Sequence, residues 1–109
     1  MGTTILRHIL GDWTEYELDD SIYVPVGCDV KLDTAVLVLP FDPARGRMFE
    51  SHEYLLGIEQ IRDVVEGLEA QLLRVATPEE RLRAITHYAV FDAFIDPRKA
   101  IADDSSRKL

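Results

Sequence analysis

A chain of 109 residues and 12.4 kDa is sized for one small domain around a modest core and leaves no room for a separate catalytic domain. Apolar residues at 47% and charged ones at 29% exclude a disordered chain, whereas twelve Lys and Arg against twenty Asp and Glu leave a net charge of −8. That sign argues against tracking nucleic-acid phosphates or docking on an anionic membrane, and for a basic or cationic partner.

Thr3 or Thr4 is placed to cap a short helix over Ile5–Leu10, with apolar positions 5, 6, 9 and 10 on one face and Gly11 as the stop. Ile22–Val24 and Ala35–Leu39 are rich in strand-forming residues and punctuated by Pro25, Gly27, Pro40 and Pro43. The second reads as a strand buried on both faces. The link between them is too short for a helical crossover, so antiparallel pairing is expected. Residues 42–51 read as an exposed loop, and Tyr54–Leu56 as a short third strand before Gly57.

From Ile58 the apolar positions 58, 61, 65, 68, 72 and 75 predict a helix of about five turns. Gly57 is its N-cap, with Gln60 at the third helical position. Thr77-Pro78-Glu79-Glu80 then announces a second long helix: a hydroxyl cap, proline at the first position and glutamate at the third. It is expected to reach about Phe94, where Asp96-Pro97 ends it, and its apolar second half is expected to be the central buried helix. The fold class that follows is α+β: a short N-terminal helix, a small antiparallel sheet of two or three strands, and two longer C-terminal helices packed on it. All of this forms one domain over residues 1–109, with 103–109 a frayed tail.

No catalytic constellation emerges. His8, His52 and His87 share no metal-ligand spacing, and His52-Glu53-Tyr54-Leu55-Leu56 lacks the second histidine of the zinc-protease pattern. Neither a Gly-rich phosphate loop nor a serine in a nucleophile elbow is present. We therefore expect no enzyme, no metal and no cofactor. Cys28 is the single cysteine. It reads as an inert or half-buried thiol, and a small chain with neither disulfides nor metal sites fits a reducing, cytoplasmic location. No stretch approaches the roughly 18 apolar residues of a membrane span. Asp92, between Phe91 and Phe94, either faces outward or pairs with Tyr88; as a catalytic acid it would need a partner, and His87 projects elsewhere.

The charge is concentrated. Residues 1–44 hold eight acids and two bases, a balance of −6, and no Lys or Arg occurs from His8 to Val30. Asp12, Glu15, Glu17, Asp19, Asp20, Asp29 and Asp33 interleave with Trp13, Tyr16 and Tyr23, and only Lys31 answers them. Such self-repulsion costs stability, and a charge-matched partner is one reason to carry it. Trp13 and Tyr16 serve either as interface anchors or to pack the N-terminal segment on the core. The first long helix adds an outward acidic stripe of Glu59, Asp63, Glu66 and Glu69, answered by Arg62. The partner-binding residues expected are the seven acids with Trp13 and Tyr16, joined by Glu59, Asp63 and Glu66.

Tyr23-Val24, the strand Val36-Leu37-Val38-Leu39, the run from Leu56 to Val65 and the closing Tyr88-Ala89-Val90-Phe91-Asp92-Ala93-Phe94-Ile95 are similar in order to short bacterial proteins of one kind. Together with its size and acidity, they make the chain resemble the small immunity proteins of contact-dependent growth inhibition and related polymorphic toxin systems. The resemblance implies a cognate toxin domain as partner, commonly a nuclease with a basic cleft. Two other readings stand beside it: a non-enzymatic adaptor or subunit, and an acidic mimic of nucleic acid.

Overall fold

The computed structural model describes residues 2–91. The expected end of the last helix near Phe94, the Asp96-Pro97 stop, the residues 103–109 and Asp92 lie outside the described residues. The chain divides into two compact units, one reaching from the N-terminus to Arg62 and the other beginning at Asp63.

The first unit is built on an antiparallel sheet of five strands: β1 (Gly2–Ile5), β2 (Ser21–Pro25), β3 (Ala35–Leu39), β4 (Met48–Phe49) and β5 (His52–Gly57), in the order β1-β3-β2-β5-β4. The class is α+β, as expected, but the sheet has five strands where two or three were anticipated. The two extra strands are its edges. β1 occupies residues read as a helix cap: Thr3 and Thr4 are extended opposite Leu37 and Val36, where their β-branched side chains suit a pleated ladder. The helix α1 (Leu6–Gly11) consequently starts one residue later, with Ile5 at the N-cap position and no side-chain cap. Its first N–H groups are satisfied instead by the chain ahead of β3: Leu6 N–H donates to Thr34 O at 3.0 Å and Arg7 N–H to Leu32 O at 2.7 Å. Leu6, Ile9 and Leu10 are buried.

β3 matches the expected residues and pairs antiparallel with β2. The strand buried along most of its length is β2, however: Ser21, Ile22, Tyr23 and Val24 are all buried, whereas Ala35 of β3 is exposed and Leu37 half-buried. The reason is position, because β2 is the middle strand of the five. β4 lies inside the segment read as a loop, and two residues are too few to leave a periodic signature.

A bulge sets the register between β2 and β5. Ile22 faces Leu56 but Tyr23 faces Tyr54, so Leu55 is the extra residue of β5. Without it Tyr23 would oppose Leu55, and Tyr54 would turn to the other face of the sheet.

The helix α2 (Ile58–Leu72) begins in the first unit and continues into the second. Its start follows the expected cap: Gln60 Oε1 accepts from Gly57 N–H at 2.8 Å. Ile58, Ile61, Val65 and Leu68 are buried as the spacing requires. The helix stops short of Val75, which is 71% exposed. Leu73 takes the left-handed conformation (φ 59°), and its N–H closes the last turn on Glu69 O at 2.8 Å.

In the second unit the helix α3 (Pro78–Phe91) opens on the expected capping box. Glu80 N–H donates to Thr77 Oγ1 at 3.1 Å, and Thr77 N–H donates back to Glu80 Oε1 at 2.8 Å. Its burial differs from expectation: Glu80, Ala84 and Ile85 are buried, residues 86–89 beyond them are only half-buried, and Val90 and Phe91 are exposed. The second half is therefore not a central buried helix among the described residues. An apolar girth records composition, not which side finds a neighbour.

Candidate functional site

The acidic segment ahead of β2 is folded by its own polar groups. The Asp12 carboxylate caps a single 3-10 turn, Trp13–Glu15, by accepting from Thr14 N–H and from the Thr14 hydroxyl. Those two hydrogen bonds, the hydroxyl's first, hold the Asp12 carboxyl below its ordinary range. Tyr16 N–H closes the turn on Trp13 O at 3.1 Å. A second turn follows, in which Asp20 N–H donates to Glu17 O at 3.0 Å while the Asp20 carboxylate accepts from Glu17 N–H at 3.1 Å. The carbonyls of Leu18 and Asp20 then take up the N–H groups of Glu59 and Ile58, at 3.0 and 2.9 Å, which the start of α2 leaves without helical partners.

The side chains on this frame are those the sequence singled out. Asp12, Glu15, Glu17 and Asp19 are exposed, Asp20 is half-buried, and Trp13 and Tyr16 are half-buried between them. Within the segment the only ion pair among the described residues joins Glu15 Oε1 to His8 Nε2 at 3.3 Å, and it forms only when that histidine is protonated. The Glu17 and Asp19 carboxylates have no hydrogen bond or ion pair among the described residues. Glu59 is brought beside this segment by the hydrogen bond from its N–H to Leu18 O, and its carboxylate lies 3.5 Å from Arg62.

Other expected residues are not gathered here. Asp29 and Asp33 are exposed on the connection from β2 to β3. Asp19 and Asp20 precede the opposite end of β2, a strand of five residues that spans about 14 Å at about 3.4 Å per residue. The run that looks continuous in sequence is thus parted by the strand it encloses. Asp63 and Glu66 are exposed and open the second unit. Glu69 leaves the acidic stripe altogether: it is half-buried, accepts from Ala76 N–H at 2.8 Å and pairs with Arg81 at 2.7 Å. Cys28 is exposed, not half-buried.

A second feature went unread in the sequence. Tyr23 and Tyr54, brought opposite by the bulge, meet edge to face at 5.8 Å, and Phe49 meets Tyr23 in the same manner at 6.4 Å. The segment 40–47 folds over these rings. Gly46, at φ 74°, makes the turn that lets its carbonyl accept from the Tyr23 hydroxyl at 2.8 Å. Arg45 donates to Pro40 O at 2.7 Å and lies over Tyr23 and Phe49, while Arg47 lies over Tyr54 at 5.4 Å. Ser21, Tyr23, Tyr54, Phe41, Pro43, Asp42, Gly46 and Arg47 bound an open recess of about 230 Å³. Arg45-Gly46-Arg47, the two tyrosines and Phe41 are plain in the sequence, but they converge only through pairing across 30 residues.

Among the described residues no three His, Cys, Asp or Glu side chains are grouped to hold a metal ion, and no helix is long and apolar enough to cross a membrane. Fold and sites together define a small acidic α+β protein whose first unit presents, among the described residues, an anionic segment and an aromatic recess with Arg47 on its wall. Residues 3–97 match the family described as Domain of unknown function (DUF7716), and the chain belongs to that family. No curated protein and no solved structure matches it.

Proposed function

We propose that this chain is a non-enzymatic binding protein that seats residues 12–20 on a cationic protein surface, in the manner of the immunity proteins it resembles. Its partner is a toxin domain whose cleft is basic because it holds RNA or DNA. One observation carries the reading: Glu17 and Asp19 are exposed and without a cation, on a backbone already held by hydrogen bonds at Asp12, Tyr16, Leu18 and Asp20. Fixing the carboxylates before encounter lowers the ordering entropy that binding must overcome, and their uncompensated field steers the approach. Trp13 and Tyr16 supply the amphipathic anchors beside them.

The test begins with the genes adjacent to this chain's own, one of which is expected to encode a toxic domain; that domain is the partner to use. Co-expression should relieve its toxicity, and the purified pair should associate at a rate that falls steeply with salt. Changing Glu15→Gln, Glu17→Gln and Asp19→Asn together, which leaves the Asp12 and Asp20 hydrogen bonds intact, should slow association at low salt by about tenfold. Trp13→Ala should act mainly on dissociation. An unchanged association rate in the triple variant would remove this segment as the docking surface.

A further inference from the structure

The recess beside Tyr23 holds an imbalance that the acidic segment does not explain. Arg47 is exposed on its wall and touches the Tyr54 ring, yet its guanidinium has neither an ion pair nor a hydrogen bond among the described residues. In a chain with twenty acids that is a guanidinium with its planar donor fork unused, the geometry that takes a carboxylate or phosphate through two parallel hydrogen bonds. On the same wall Phe41 is 63% exposed, with no ring contact among the described residues. It offers a flat apolar surface next to that fork.

The two features sit on a rigid base. Tyr23 is buried and its hydroxyl is spent on Gly46 O, the Tyr54 hydroxyl donates to Gln60 Oε1 at 3.0 Å, and Arg45 ties the segment 40–47 to Pro40 O. None of these needs to move to admit a guest, so the recess is preformed. Its charge is mixed but not balanced. Asp42 lines it beside Arg47, but its Oδ1 already accepts from Ala44 N–H at 2.9 Å, whereas the Arg47 fork is unused; Arg45, over the Tyr23 and Phe49 rings, adds a second positive charge nearby without lining the recess.

We propose that this recess binds a small organic anion with a flat ring, its acid group held by Arg47 and its ring lying on Phe41 and Pro43. A volume of about 230 Å³ falls below the range of sites that enclose drug-sized ligands, and the recess is open. The guest is therefore a single ring bearing an acid group, or the base and phosphate of a mononucleotide lying partly in solvent. Both share the chemistry that Arg47 and Phe41 read. Asp42 opposes either, which fixes the sign of a second test: removing its charge should strengthen binding.

Titration of the intact protein followed by amide and aromatic NMR shifts decides between the outcomes, with benzoate and adenosine monophosphate as probes and inorganic phosphate, benzyl alcohol and benzylamine as controls. Benzoate, adenosine monophosphate or both should shift Phe41, Arg47 and Tyr54, and the tighter of the two identifies the source. Arg47→Gln should weaken that binding by about tenfold or more, and Asp42→Asn, which keeps the acceptor for Ala44 N–H, should tighten it by about two- to threefold. The proposal falls if neither ring-bearing anion shifts these residues, or if phosphate alone binds as tightly. It falls equally if benzylamine is preferred, or if Arg47→Gln leaves affinity unchanged in a protein whose remaining spectrum is unaltered. Because the recess and residues 12–20 share no side chain, neither result bears on the acidic docking surface.

Discussion

Glu69 and Glu80, at the junction of α2 and α3, have the same chemistry as Glu15, Glu17 and Asp19 ahead of β2, but they stand in opposite surroundings. Glu80 is 6% exposed, and its two oxygens face the Arg74 guanidinium at 2.9 and 2.8 Å while one also takes the Thr77 N–H. The Arg74 hydrogen bonds, helped by Thr77 and opposed by burial, bring its carboxyl down to about 2. Burial pushes the Glu69 carboxyl up, but the Ala76 N–H and Arg81 outweigh it and leave it below the ordinary range. In the N-terminal segment the Glu17 and Asp19 carboxylates reach into water unpaired and Glu15 meets only His8, while the Asp12 carboxylate accepts from the Thr14 hydroxyl and N–H and that of Asp20 from Glu17 N–H. A carboxylate whose lone pairs are all answered inside the fold stabilises it, whereas one left in solvent without a cation contributes little to folding and is available to a partner.

The largest test of that contrast is Glu80→Ala, which strips Arg74 of its partner and opens the N-terminus of α3 at once. It should cost about 2–3 kcal/mol in urea unfolding. Glu69→Gln, which keeps an acceptor for Ala76 N–H but weakens the pairing to Arg81, should cost about 1 kcal/mol. If either variant unfolds at the parent midpoint, the junction carboxylates are not structural and the contrast collapses.

Acid sharpens it. Because folding lowers the Glu80 carboxyl from an ordinary 4.5 to about 2, its contribution is complete above about pH 4.5 and is lost as pH falls toward 2. Glu69 acts with the same sign. Urea midpoints measured between pH 6 and pH 2.5 should fall, and Glu80→Gln should flatten that fall. The smallest effect belongs to the N-terminal segment: Glu15→Gln, Glu17→Gln and Asp19→Asn together should change stability by less than about 0.5 kcal/mol, in the stabilising direction, as their mutual repulsion is relieved. A loss of more than about 1 kcal/mol would show that these acids hold the fold together instead of facing a partner.

The legible part of this protein is whatever adjacent residues decide among themselves. The capping box at Thr77 and Glu80, the Gly57–Gln60 start of α2, the buried positions 58, 61, 65 and 68, and β3 are all set by neighbours within a few residues, whose spacing is visible in the sequence. The exposure of Glu17 and Asp19 followed in the same way from charge without a nearby base.

Tertiary structure alone decided what depends on distant partners. β1 is a strand because β3 offers it a ladder, not because Thr3 and Thr4 rule out a cap. The bulge at Leu55, which no local pattern marks, puts Tyr54 opposite Tyr23 and so creates the recess. Glu69 left the outward stripe because Ala76 and Arg81, seven and twelve residues on, return to it. Asp29 and Asp33 were parted from Asp19 and Asp20 because β2 runs straight between them. Short-range periodicity and capping are written in residue spacing; which carboxylate meets an arginine and which tyrosine meets its partner are set by contacts that exist only once the chain has closed on itself.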